Sequence, residues 1–142
     1  MADYLEKSLS SSHQPLTISH STSLHILRGH TAPENCTGEI KKLAPTHLVI
    51  VDAADLGQQP GALHLLEPGQ IGGVSFSTHQ MPLSVMLDYL KTSFAFEAIV
   101  LTIQPAHLDL NRPVTPAVRR AARTLAAVLV KACEKRVLPL RR

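Results

Sequence analysis

The sequence predicts an α/β protein with a mostly parallel sheet. Residues 46–52 and 98–103 are predicted strands, built on the apolar runs LVIV at 48–51 and AIVLTI at 98–103, as is typical of strands that are buried on both faces. Apolar residues at helical spacing follow the first run after Pro82 and the second after Pro116. Strands that alternate with amphipathic helices are typical of sheets that bind ligands beyond the carboxyl ends of their strands.

The chain before the first apolar run predicts only short elements. These are a helix at 2–9, a polar connector at 10–22, a strand at 23–28, a turn at 29–33 and a brief helix at 35–43. Gly38 weakens this last helix and Pro45 ends it.

The rest of the chain predicts longer elements. In order they are the strand at 46–52, a loop at 57–61, a strand at 62–66, an irregular segment at 74–80, a helix from Pro82, the strand at 98–103 and a final helix. Pro82 is predicted at the first position of its helix. The apolar face of that helix consists of Leu83, Met86, Leu87 and Leu90. In the final helix, Thr115 is the predicted cap and Pro116 the first residue. Its apolar stripe consists of Val118, Ala121, Ala122, Leu125, Val128, Leu129 and Ala132.

Composition favours one cytoplasmic domain that covers residues 1–142. Hydrophobic residues make up 44% of the chain and aromatic residues 4%, so the core is predicted to be aliphatic. No run reaches the ~18 apolar residues of a membrane span, and the first residues do not have the pattern of a signal peptide, so we expect no membrane insertion. Cys36 and Cys133 are too far apart in sequence to indicate a zinc knuckle or a disulfide framework.

The formal net charge of +3 comes largely from basic residues late in the chain. They are Arg119, Arg120, Arg123, Lys131, Lys135, Arg136, Arg141 and Arg142. No aromatic residues alternate with them, so the pattern favours the solvated face of a helix over a phosphate-binding patch or a nucleic-acid surface. Docking of an acidic protein partner stays open. The sequence does not indicate an oligomeric state.

Asp52 is the first candidate site residue, because it follows the apolar residues 48–51 directly and ends the predicted strand at 46–52. Its predicted place is the carboxyl rim of a central strand, where α/β proteins bind ligands. A structural alternative is that its carboxylate caps the following turn, although Asp55, in the sequence Asp-Leu-Gly, fits that role better. His79 is the second candidate, because its loop leads into the Pro82 helix; the alternative is an ordinary loop histidine.

An aspartate and a histidine together supply two ligands for a borderline metal such as nickel or zinc, and a tight site takes three or four. The remaining histidines show no paired metal-binding spacing; they are His13, His20, His25, His30, His47, His64 and His107. Motifs for a serine nucleophile elbow, dinucleotide binding and a phosphate-binding loop are not found in the sequence.

Several segments in a fixed order resemble the hydrogenase maturation endopeptidases, most closely the branch that serves formate-hydrogenlyase-type nickel-iron hydrogenases. They are APEN at 32–35, LAPTHLVIVDAADLGQQPGAL at 43–63, THQMPL at 78–83, IQP at 103–105 and VTPAV at 114–118. The resemblance covers residues 24–130 and implies a three-layer sandwich with a twisted, mostly parallel sheet between helices.

The resemblance implies an aspartic-type, nickel-dependent endopeptidase. Its expected substrate is the precursor of a nickel-iron hydrogenase large subunit, from which it removes a C-terminal extension after nickel insertion. Asp52 and His79 match two of the family's three metal-contacting side chains, so both are expected to be catalytic and to contact nickel delivered by the precursor.

The third family element, a first strand followed by a Gly-Asn turn and an acidic loop, has no match in this sequence. Arg28-Gly29-His30-Thr31 also stands where the family has an Asp-Gly-Gly-Thr type of turn. Two explanations stay open: the true start of the protein lies upstream of Met1, or the chain is a degenerate relative. The second explanation implies a non-catalytic binding protein for the precursor or for hydrogenase assembly factors.

Overall fold

The computed structural model describes residues 16–19, 22–71, 81–109 and 111–134. Strands β1 (Leu16–Ser19) and β2 (Thr22–Leu24) form an antiparallel hairpin. Strands β3 (His47–Ala53), β4 (Leu63–Leu66) and β5 (Glu97–Ile103) form a second sheet in the order β3-β5-β4. The helices are α1 (Thr37–Leu43), α2 (Leu83–Lys91) and α3 (Pro116–Glu134), with short 3₁₀ turns at Pro33–Cys36 and Pro68–Gln70.

The larger sheet is mixed, with β5 between a parallel and an antiparallel neighbour. Strand β3 runs parallel to β5 with Asp52 opposite Thr102. Strand β4 runs antiparallel to β5 with His64 opposite the same Thr102. Within the described sheet β5 is therefore the central strand and β3 lies at an edge, whereas the sequence had placed Asp52 on a central strand.

Helices cover both faces of this sheet. On one face, α1 and α2 pack their apolar residues over Val100 and Leu66. The α2 residues in that cluster are Leu83, Met86, Leu87 and Leu90, which are at most 4% exposed, as their spacing predicted. On the other face, α3 packs Ala121 and Leu125 against Ile103. The α/β class and its three layers are thus confirmed.

Most predicted elements are present with small shifts at their ends. The helix predicted at 35–43 consists of the 3₁₀ turn and α1, and it ends where Ala44 adopts a left-handed conformation (φ 40°) before Pro45. The strands predicted at 46–52, 62–66 and 98–103 are β3, β4 and β5. Pro82 is the residue before α2 instead of its first residue, and its carbonyl accepts the amide of Met86 at 3.2 Å.

Predictions for the hairpin and for α3 need correction. The polar connector predicted at 10–22 contains β1, because Leu16, Thr17 and Ser19 find pairing partners in the strand that follows. That second strand ends at Leu24 instead of reaching residue 28. The hydroxyl of Thr115 makes no capping hydrogen bond, although its carbonyl accepts the amide of Arg119 at 3.0 Å.

The apolar stripe of α3 is also displaced from its prediction. Val128 is 56% exposed, whereas Ala126, which was not included in the stripe, is 1% exposed. Arg119, Arg120, Arg123 and Lys131 are exposed, as expected of a solvated face. The helix predicted at 2–9 and the irregular segment at 74–80 lie outside the described residues.

Candidate functional site

Asp52 lies one residue before the end of β3 and is partly buried. Successive side chains of a strand point to opposite faces, so Asp52 shares its face with Leu48 and Ile50. Both of these residues pack against the cluster formed by α1 and α2. The carboxylate therefore lies on the α2 face of the sheet, at the carboxyl end of a parallel pair of strands.

The carboxylate of Asp52 is oriented by the backbone that follows it. Its Oδ1 atom accepts the amide N–H of Ala53 at 2.7 Å. The next residue, Ala54, is fully buried, and its amide donates to the carbonyl of Ile103 at 3.3 Å. The end of β3 is thus held against the end of β5 immediately beyond the candidate site.

Gln104, the first residue after β5, fixes the turn that follows Asp52. Its Oε1 atom accepts the amides of Leu56 at 2.7 Å and Gln58 at 3.2 Å. Its Nε2 atom donates to Oδ1 of Asp55 at 3.1 Å and to the carbonyl of Pro105 at 3.1 Å. The side chain is 5% exposed, and these bonds use both donors and both lone pairs of the amide.

Asp55 forms the turn that the sequence assigned to it. Its Oδ1 atom accepts the amide of Gly57 at 3.1 Å, which closes an Asx turn. This backbone hydrogen bond, with a smaller contribution from Gln104, lowers the pKa of the exposed Asp55 carboxyl below its usual value near 3.8. A carboxylate that accepts these bonds while ionised has a structural role, which leaves Asp52 as the candidate for chemistry.

The second predicted site residue, His79, lies outside the described residues, and its placement beside Asp52 stays a prediction. What the structure does describe is the helix to which its segment leads. Helix α2 begins at Leu83 and packs on the same face of the sheet as Asp52.

Within the described ranges, no three histidine, cysteine, aspartate or glutamate side chains come together in a group that could hold a metal ion. Asp52 could thus contribute one oxygen donor to a metal whose other ligands come from elsewhere. In the same part of the chain, no helix is long and apolar enough to cross a membrane.

Sequence reasoning missed the role of Gln104. The Ile-Gln-Pro string at 103–105 contributed to the family resemblance, but no contact was assigned to its glutamine. The available signal was an amide side chain directly after a largely apolar strand, where an uncharged polar residue needs partners for each of its atoms.

Comparisons with known sequences indicate which class of protein has this architecture. A family profile described as "Hydrogenase maturation protease" matches residues 6–132. The hydrogenase 3 maturation protease of Escherichia coli K12 is 38% identical over 101 residues, which are 70% of this chain and 64% of that protein. A putative hydrogenase maturation protease of Methanocaldococcus jannaschii is 32% identical over 113 residues, which are 80% of this chain and 66% of that protein. The chain spans slightly less than two thirds of the length of these relatives.

Solved structures agree with the sequence matches. A [NiFe] hydrogenase maturation protease HycI from Thermococcus kodakarensis KOD1 superposes with a TM-score of 0.74 at 25% identity, over 94% of this chain and 79% of that one. The endopeptidase HycI from Escherichia coli superposes with a TM-score of 0.62 at 35% identity, over 77% of this chain and 67% of that one. Fold and sequence together therefore define an α/β protein of the maturation-protease type. The chain belongs to the hydrogenase maturation protease family.

Proposed function

We propose that the chain is an endopeptidase that removes the C-terminal extension from the precursor of a nickel-iron hydrogenase large subunit, after nickel insertion. The observation that supports this proposal most is the position of Asp52 in a chain of this family. Its carboxylate ends a parallel strand on the face that α2 covers. The relatives named above as hydrogenase maturation proteases and as an endopeptidase support the reaction and the class of substrate.

Nickel enters this proposal as part of the substrate. Asp52 and His79 contact the ion that the precursor carries, the first through a carboxylate oxygen and the second through an imidazole nitrogen. Imidazole suits nickel well, and two protein donors leave coordination positions for groups of the precursor. The ion would then polarise the scissile carbonyl or hold the precursor in place while water attacks. His79 takes its role from the family resemblance alone.

Cleavage of a nickel-loaded precursor tests these assignments. The chain and its variants are incubated with the loaded precursor, and loss of the C-terminal extension is followed by mass spectrometry. Asp52→Asn and His79→Gln are expected to slow tail removal by about 100-fold or more. Asp88→Asn and His25→Gln make the same chemical changes at exposed positions and are expected to cleave normally. Equal cleavage rates in all four variants would refute the site assignment.

A second candidate function is non-catalytic binding of the precursor or of hydrogenase assembly factors. It is favoured by one observation, namely that Arg28-Gly29-His30-Thr31 stands where the family has an Asp-Gly-Gly-Thr type of turn. This function predicts that the loaded precursor binds and keeps its full mass. The protease proposal predicts binding followed by the mass loss of the extension.

We place the reaction in the cytoplasm. The two cysteines of the sequence, Cys36 and Cys133, are not joined by a disulfide, and proteins without disulfides are characteristic of reducing compartments.

A further inference from the structure

Three polar side chains form a row across the larger sheet. Thr102 on β5 lies opposite Asp52 on one side and opposite His64 on the other. Residues that lie directly opposite each other project from the same face of a sheet, with Cβ atoms about 5 Å apart. The side chains of Asp52, Thr102 and His64 therefore lie side by side on the face that α2 covers.

This row marks a sharp change in chemistry along the sheet. The preceding row on the same face consists of Ile50, Val100 and Leu66, in the same strand order. Val100 is 1% exposed and Leu66 is 7% exposed, so that row is part of the apolar core. All three strands change from apolar to polar at the same step.

Thr102 is the member of the row whose hydroxyl lacks a hydrogen bond to the described residues around it. Its side chain is 0% exposed, and its hydroxyl oxygen has no hydrogen-bond partner among the described residues. A buried hydroxyl without a partner lowers stability, and valine has nearly the same shape without that penalty. A threonine at this position, between a carboxylate and an imidazole, is explained if the hydroxyl binds a group that is not part of the chain.

We propose that Thr102 and His64 extend the Asp52 site across the sheet and bind the metal-bearing end of the substrate. On the basis of the function proposed above, His64 contacts the ion through an imidazole nitrogen, in addition to the contacts already described. The hydroxyl of Thr102 forms a hydrogen bond with an oxygen atom bound to that ion. Asp52 and His64, together with His79, supply three protein donors at most, so coordination positions stay open for the peptide groups that already hold the ion.

The test measures the affinity for nickel-loaded precursor and the thermal midpoint of unfolding in parallel. Thr102→Val is expected to keep or raise the midpoint and to weaken binding at least fivefold. Thr102→Ser retains the hydroxyl and is expected to bind within twofold of the parent chain. Thr115→Val is the matched control, because the Thr115 hydroxyl is also buried and unpartnered but lies outside the row. It should leave binding unchanged. His64→Gln is expected to weaken binding at least tenfold.

Two results would overturn the proposal. In the first, Thr102→Val and His64→Gln bind the loaded precursor as tightly as Thr115→Val does. In the second, Thr102→Ser loses as much affinity as Thr102→Val, which would show that the shape of the side chain matters and its hydroxyl does not. Tail removal is recorded separately: if the parent binds the loaded precursor but leaves it uncut, the protease function fails while the binding comparison still decides the role of the row.

Discussion

Replacing Gln104 with methionine should destabilise the protein far more than the same replacement at an exposed position. Methionine has nearly the length of glutamine but can neither accept the amides of Leu56 and Gln58 nor donate to Asp55. The side chain is 5% exposed, so water has little room to replace these bonds. The change thus removes the partners of the turn without creating a large cavity.

The magnitude follows from the groups that lose their partners. An unsatisfied buried donor costs about 1–3 kcal/mol, and this variant leaves the amides of Leu56 and Gln58 without acceptors. Both bonds are only partly buried, which favours the lower end of that range for each. Asp55 is exposed and can exchange its lost donor for water, so it adds little. We expect the free energy of unfolding to fall by about 2 kcal/mol.

Urea denaturation followed by circular dichroism measures this loss. The control is Gln59→Met, which makes the same change on the same loop at an exposed residue. Surface changes of this kind are usually worth about 0.5 kcal/mol or less. A loss below about 1 kcal/mol for Gln104→Met, or equal losses for the two variants, would refute the reasoning that these hydrogen bonds stabilise the turn.

Three further predictions concern the glycines of the 57–61 loop, the Asp55 carboxylate and the partly buried thiol of Cys36. Gly61→Ala should cost about 3 kcal/mol in urea denaturation, because φ is +91° and the new Cβ would lie 2.9 Å from the carbonyl oxygen of Ala117. Gly57→Ala, at φ +66° in open space, should cost about 1 kcal/mol; equal losses would contradict the steric argument. The pKa of Asp55 is lowered by folding, so its stabilisation is present above its usual value near 3.8 and is lost as pH falls through the lower folded value. The stability advantage of the parent over Asp55→Asn should therefore shrink as the pH is lowered from 5 through the usual value near 3.8, and a constant difference would contradict it. Burial raises the pKa of the Cys36 thiol, so iodoacetamide should alkylate it more slowly at pH 8 than glutathione in the same tube, as measured by peptide mass spectrometry; equal rates would contradict this.

The sequence predicted best the elements whose apolar residues follow a regular local pattern. Strands β3 and β5 and the inner face of α2 are encoded by local periodicity, which does not require knowledge of their neighbours. The hairpin was missed at β1, because its Ser- and Thr-rich residues resemble a connector until the partner strand is known. The direction of β4 could not be predicted for the same reason, since pairing and not composition determines it.

The candidate site was predicted only in part. A carboxylate after an apolar run identified Asp52, and the family resemblance added His79, which lies outside the described residues. The contacts of Gln104 join residues that are up to 49 positions apart, and no local pattern encodes them. The row through Thr102 depends on two strand registers, one parallel and one antiparallel, and therefore appears only in the folded sheet.

The saturated amide of Gln104 also has a consequence for the order of folding. The turn at Asp55 lies on the chain well before β5, yet its hydrogen bonds come from a residue that follows β5. The turn cannot become rigid when the strand before it forms, because closing that long loop must come first. Amide hydrogen exchange at Leu56 and Gln58 therefore reports whether β5 is in place, and these amides should gain protection only with the whole sheet.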